Sequence, residues 1–271
     1  MNAEDTALVA IERRVRDTIA SRVNAIPDEI TPAIVSAIRE QPDASGTQIL
    51  SRDDVNKALT SSLDSAQADV EDITRSGYNA AATLGLLLAA HELGQVGHDQ
   101  PTSPLPDFDG LLGVILKGIG IAFAAALLDI HNRFQAAHDG VTGSHAVEAR
   151  ILTTNTAIRR AVKRLSVRAT AAGVVAVHAG YTDAQLHAYQ QYQKINPYVA
   201  LQKRWNVRGA DPCDMCKALD GTQIALDAEF DHAATVSETK PALPVYDNSL
   251  QGPPRHPNCR CRLTYHFATT R

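Results

Sequence analysis

Aromatic side chains are scarce in this chain: they make up 5% of its 271 residues, with a single tryptophan, Trp205. That scarcity argues against a β-sandwich or a carbohydrate-binding face and favours a helical protein. A dominant charge sign is also lacking; the net charge of −4 excludes a simple polyanion binder. No continuous apolar stretch opens the chain, because Glu4, Asp5, Glu12, Arg13, Arg14, Arg16 and Asp17 interrupt residues 1–26. No secretory signal is therefore expected, and the protein is expected to stay in a reducing cytoplasm. Internal repeats and low-complexity tracts are missing. Cysteine is nearly missing: there are four, all in the last quarter. In a reducing compartment, cysteines clustered in this way read as metal ligands rather than disulfide partners.

What is present up to about residue 200 is helical periodicity. Leu8, Ile11, Val15, Ile19 and Val23 recur every three or four residues and give one apolar face. Pro27 and Pro32 predict a break, with a short helix over 33–39 after it. Ser51 and Asp54 have the spacing of a capping box for a helix over about 53–93, with Val55, Leu59, Leu63, Val70 and Ile73 inward and residues 84–90 buried all round. A loop is expected over 97–106, then an apolar helix over 109–137. Within it, Leu111–Leu128 approaches the length of a bilayer span, but Lys117 and three glycines favour a buried bundle helix. His138 to Gly143 reads as a turn, Ser144 as a cap, and Thr182 with Gln185 as a second capping box after Gly180.

After residue 200 the character changes. Residues 203–207 are a strand candidate, and turn formers become dense. The expected fold is α+β: a helical first two-thirds (1–140, with the apolar helix near 109–137), then a second domain over 141–271. That domain ends in a small module over 203–265 of short strands and loops. A module so small needs a staple.

The cysteine pattern supplies one. Cys213-x-x-Cys216 is followed, after 39 intervening residues, by His256-x-x-Cys259-x-Cys261. Tetrahedral zinc takes two ligands from a tight knuckle and two from a distant turn. Cys213, Cys216 and Cys259 are therefore expected to bind structural zinc together with either His256 or Cys261. Such an ion contributes on the order of 10 kcal/mol to folding a small module. Catalytic zinc is not expected. Pro212-Cys213-x-x-Cys216 is half of the zinc deaminase signature, but the upstream His-x-Glu is lacking, as is any His-Glu-x-x-His. No residue is assigned to catalysis, and His232 and His266 read as ordinary histidines.

Charge is uneven along the chain. Residues 146–208 carry ten Lys/Arg against two acids, a net +8 that leaves −12 for the rest. Arg159, Arg160, Lys163, Arg164 and Arg168 would form a helix stripe about 14 Å long, a candidate contact for a double-stranded DNA backbone. The competing reading is a solvated or ion-paired helix face.

Trp205, the knuckle Asp211-Pro212-Cys213-Asp214-Met215-Cys216, Leu219-Asp220-Gly221, and Pro254-Arg255-His256-Pro257-Asn258-Cys259-Arg260-Cys261 together resemble the phage Mu F-like head morphogenesis family. The likeness covers roughly 146–265. It implies a minor capsid protein of the virion, assembled in the host cytoplasm, that associates with the portal protein and inner capsid and assists DNA packaging or delivery. Competing readings are a toxin-like enzyme, ADP-ribosyltransferase or nuclease, and a membrane-active ejection protein using Leu111–Leu128.

Overall fold

The computed structural model describes residues 3–39, 52–95, 109–140, 146–208, 212–230, 251–256 and 259–268. Four long helices come first: α1 (Ala3–Arg39), α2 (Arg52–Gln95), α3 (Asp109–Gly140) and α4 (Ala146–Ile195). A small region follows with β1 (Leu201–Asn206), α5 (Asp214–Leu219), β2 (Gln223–Ala225) and β3 (Arg262–Phe267). The protein is thus mainly helical with a short C-terminal sheet, the α+β class expected. It divides into two compact units, one from 1–15, 74–115 and 171–271, the other from 16–73 and 116–170.

Periodicity locates the helices well and their interruptions poorly. α1 runs unbroken through Pro27 and Pro32. A proline inside a helix costs about 3 kcal/mol, but Ile26, Ile30 and Ile34 are fully buried along the same face. Each such burial contributes roughly 1.5–3 kcal/mol, so the stripe outweighs the lost hydrogen bonds. α3 continues through His138, Asp139 and Gly140, where the sequence predicts a turn. α4 passes without a break through Gly180, Thr182 and Gln185. Thr182 and Gln185 are buried rather than capping an end. Ser51, Ser144 and the 97–106 loop lie outside the described residues. Leu87 is exposed within the stretch expected to be buried all round.

In the unit built from 16–73 and 116–170, each helix gives one apolar stripe. Ile19 and Val23 of α1, Leu63 and Val70 of α2, Ile119 and Phe123 of α3, and Ile158 and Leu165 of α4 are buried. Arg22 of α1 reaches Asp69 of α2 at 2.6 Å, and Arg164 of α4 bonds Asp129 of α3. α3 is only partly the buried helix expected, since Ile121 and Leu128 stay exposed.

In the other unit, α2 and α4 approach to backbone contact. A Cβ on Gly180 would sit 2.4 Å from the Tyr78 carbonyl oxygen, and one on Gly85 2.5 Å from that of Tyr181. The sheet has the order β2-β1-β3, all antiparallel. Strand alternation turns Leu201, Lys203 and Trp205 of β1 inward. Leu201 and Leu226 pack with Leu93, Tyr189 and Tyr192 of the helices, and Tyr189 stacks on Tyr265 at 4.0 Å.

Candidate metal centre

The knuckle is shaped by α5. Cys213 is its N-cap in extended conformation, and its sulfur accepts the Cys216 N–H at 3.4 Å. That bond turns both sulfurs to one side of the first turn. The Cys-x-x-Cys pair therefore does open a short helix, where the sequence predicts only turns after it. α5 stops at Asp220 and Gly221; Gly221 has φ 76°, a left-handed conformation that glycine adopts without strain. The Asp220 carboxylate accepts the Val207 N–H at 2.9 Å, and the Gly221 N–H donates to Trp205 O at 2.9 Å. These bonds hold the knuckle against the end of β1.

The second half arrives through β3. Trp205 pairs with Leu263 and Asn206 with Arg262, so the residues just before β3 lie beside the knuckle. Cys259 donates its N–H to His256 O at 3.1 Å, a tight turn that presents both side chains together. Cys259 and Cys261 do not meet on a strand face, because β3 begins after them, at Arg262.

All five candidate ligands converge, in two groups that share Cys216. His256 Nε2 lies 3.1 Å from the sulfurs of both Cys213 and Cys216, and the sulfurs of Cys216 and Cys259 are 3.8 Å apart. Cys213, Cys216 and His256 form one group whose donor atoms lie within 4.8 Å of one another; Cys216, Cys259 and Cys261 form a second. Cys216 belongs to both. None of the four cysteines is in a disulfide. Cys216, Cys259, Cys261 and His256 are buried, with Trp205, Leu219, Phe230 and Leu263 around the thiols. Such a buried thiol–imidazole cluster can hold a metal ion. The Cys259 thiol is held far below its usual range because Cys216 and Cys261 donate to it, and Cys216 is pushed far up because it is the donor. With no cation, a cluster this tight sustains about one thiolate; a bound cation would let the other thiols ionise.

Residues with no local sequence signal fasten the centre to α1 and α4. Arg260 bonds the buried Glu12 at 2.8 Å, Glu12 lies 3.3 Å from His178 Nε2, and Arg262 bonds Asp5. Arg260 and Glu12 are 248 positions apart, so nothing in the local pattern pairs them. Lys203 is likewise silent in the sequence. It is fully buried, donates to Gln251 at 2.8 Å, and lies over the Phe230 ring. Burial lowers its pKa to about 8.

The basic stripe belongs to the other compact unit. Arg159, Arg160, Lys163, Arg164 and Arg168 are exposed along α4. Arg164 is bonded to Asp129, and Arg159 lies 3.7 Å from Asp28. His232 lies outside the described residues, and His266 is exposed on β3. Compared with known proteins, the chain matches no family model, no curated protein and no solved structure.

Proposed function

We propose that the chain is a phage minor capsid protein, associated with portal and inner capsid and assisting DNA packaging or delivery, whose C-terminal module is stapled by structural zinc. The observation that carries the reading is the convergence of Cys213 and Cys216 with His256, Cys259 and Cys261 across a long separation in sequence. These five are among the residues on which the resemblance to the head morphogenesis family rests. Zinc suits the donors: thiolate with imidazole is a borderline-soft set. A zinc tetrahedron with metal–sulfur bonds of about 2.3 Å has sulfur–sulfur edges of about 3.8 Å, the separation of Cys216 and Cys259. Cys213, Cys216 and Cys259 would be filled out by His256 or Cys261, which closes the coordination sphere and leaves the ion a structural part.

Metal analysis of the purified protein beside Cys213→Ser and Cys259→Ser tests the staple. About one zinc per chain is expected, lost in both variants together with protease resistance of residues 201–268. Full protease resistance without metal would refute it. The capsid reading is tested separately. In virions the chain is expected in low copy and cross-linked to portal subunits; recovery only from the unassembled soluble fraction would remove that reading.

A further inference from the structure

α3 is apolar enough over Leu112–Arg133 to cross a membrane, with a mean hydropathy of 1.9, yet only 33% of that window is buried. The buried part is the stripe Ile119, Phe123, Ala126 and Ile130, which forms bundle core. The opposite arc carries Lys117, Ile121, Ala124, Ala125 and Leu128, spaced three or four apart and therefore on one face. Ile121 is 63% exposed and Leu128 60%. Two large aliphatic side chains two turns apart on one face, with alanine between them, are costly to leave in water.

Directly beside that arc runs the basic side of α4. Asp129 bonds Arg164 across the seam, and Ala122, Ala125 and Ala126 of α3 face Ala161, Leu165 and Arg168 of α4. Arg160, Lys163 and Arg168 are exposed there, as is Val167 at 67%. Charge is sorted within the unit. Residues 116–170 have eight Lys/Arg and three Asp/Glu, whereas 16–73 have five and eleven. The α3–α4 side is thus apolar and cationic together, and the acids collect on α1 and α2.

We infer that the α3–α4 side of this bundle is a docking surface for an anionic lipid membrane, with Ile121, Leu128 and Val167 entering the headgroup boundary and Arg160, Lys163 and Arg168 meeting lipid phosphates. Apolar side chains flanked by cations are the pattern that interfacial membrane binding uses. Lys117 suits the same position, its stem along the apolar face and its ammonium among the headgroups. Lying in the interface leaves the core stripe of α3 in place; spanning the bilayer would strip Ile119, Phe123 and Ile130 from the bundle. Duplex DNA would engage the cations but has no use for the aliphatic side chains beside them. A two-fold pairing with a second copy would set the same cationic faces against each other. The inference rests on the bundle alone and stands or falls separately from the zinc module and the capsid reading.

Flotation of the full chain with phosphatidylglycerol vesicles and with phosphatidylcholine vesicles tests it, with binding to a DNA duplex and sedimentation measured in parallel. The chain is expected to float with the anionic vesicles only, and less as salt rises. Ile121→Ser/Leu128→Ser and Arg160→Gln/Lys163→Gln/Arg168→Gln should each lower partitioning roughly tenfold or more. All five positions are solvent-facing, so both variants should keep the wild-type thermal melt, which checks that they are folded. The inference is overturned by failure to float, by flotation unchanged in the Ile121→Ser/Leu128→Ser variant, or by arginine-dependent DNA binding without vesicle binding. Self-association through α3 with no vesicle binding would overturn it in favour of a second copy.

Discussion

Asp183 of α4 accepts a hydrogen bond from the Tyr78 hydroxyl of α2 at 3.0 Å. Burial raises its pKa from 3.8 to about 7, with the Tyr78 bond opposing. The folded protein therefore holds a proton on Asp183 that the unfolded chain has released, throughout the window between those two values. Stability contributed by this group is full below the lower value and falls as pH rises through the window. Asparagine keeps the acceptor for Tyr78 and has no charge to bury. Asp183→Asn should thus melt above wild type at pH 8, with the difference shrinking to nothing near pH 4. Taking the difference between the two proteins removes any pH effect on metal binding that both share. An equal melting difference at both pH values would refute the assignment. At this scale the sequence is readable only where the residue type itself carries the chemistry. The five candidate metal donors are legible as candidates. Asp183, Glu12 and Lys203 look like ordinary surface charges, because their burial depends on partners brought in by the fold.

Between elements, glycine marks where α2 and α4 touch. In an open helix, glycine to alanine stabilises by about 0.5–1 kcal/mol, since alanine loses less backbone freedom. At Gly180 the added methyl would meet the Tyr78 carbonyl oxygen at 2.4 Å and the sign should reverse. Gly180→Ala is expected to cost roughly 1–3 kcal/mol, as overpacking does. At Gly118 on α3 the added methyl would have nothing within 4 Å, so Gly118→Ala should stabilise. Thermal melts of the two variants check the contrast; a higher melting temperature for Gly180→Ala would mean that the helices do not approach so closely. The contrast shows why helix ends are hard to read from local composition. Gly180 with Thr182 and Gln185 has the composition of a helix start, and Pro27 that of a stop. Both look like local signals, but Gly180 answers to Tyr78 across the helix interface and the stripe Ile26, Ile30 and Ile34 carries α1 past its prolines. Periodicity survives because it records the burial itself: Leu8, Val15, Ile19 and Val23 are buried as their spacing requires, whereas Ile11 of the same expected face is only half-buried and Glu12 takes the buried position beside it.

For the molecule as a whole, the composition break near residue 200 is legible because it separates two ways of being stable. The helices bury long apolar stripes, whereas the C-terminal region keeps a small cluster, Trp205, Leu219, Phe230 and Leu263, around its thiols and sets Leu201, Leu226 and Tyr265 against the helices. The bonds that fasten this region to the helices, Arg260 to Glu12 and Arg262 to Asp5, are illegible because they join opposite ends of the chain. Each of these ion pairs has a buried or mostly buried acid, Glu12 or Asp5, and with Leu201, Leu226 and Tyr265 they hold the sheet against the helices. If the cluster holds a metal ion, its removal should therefore loosen the Cys213–Cys216 knuckle and residues 251–256 first and spare the helical core. Under chelation, protease is expected to cut within 201–268 while the far-UV helical signal stays nearly unchanged, and zinc added back should restore resistance. If the helical signal collapsed in the same step, the helices would depend on the ion as much as the sheet does. If resistance persisted in chelator, the apolar cluster and its ion pairs would hold β1, β2 and β3 together without metal. Either result would break the division of labour between burial and ligation that the sequence marks near residue 200.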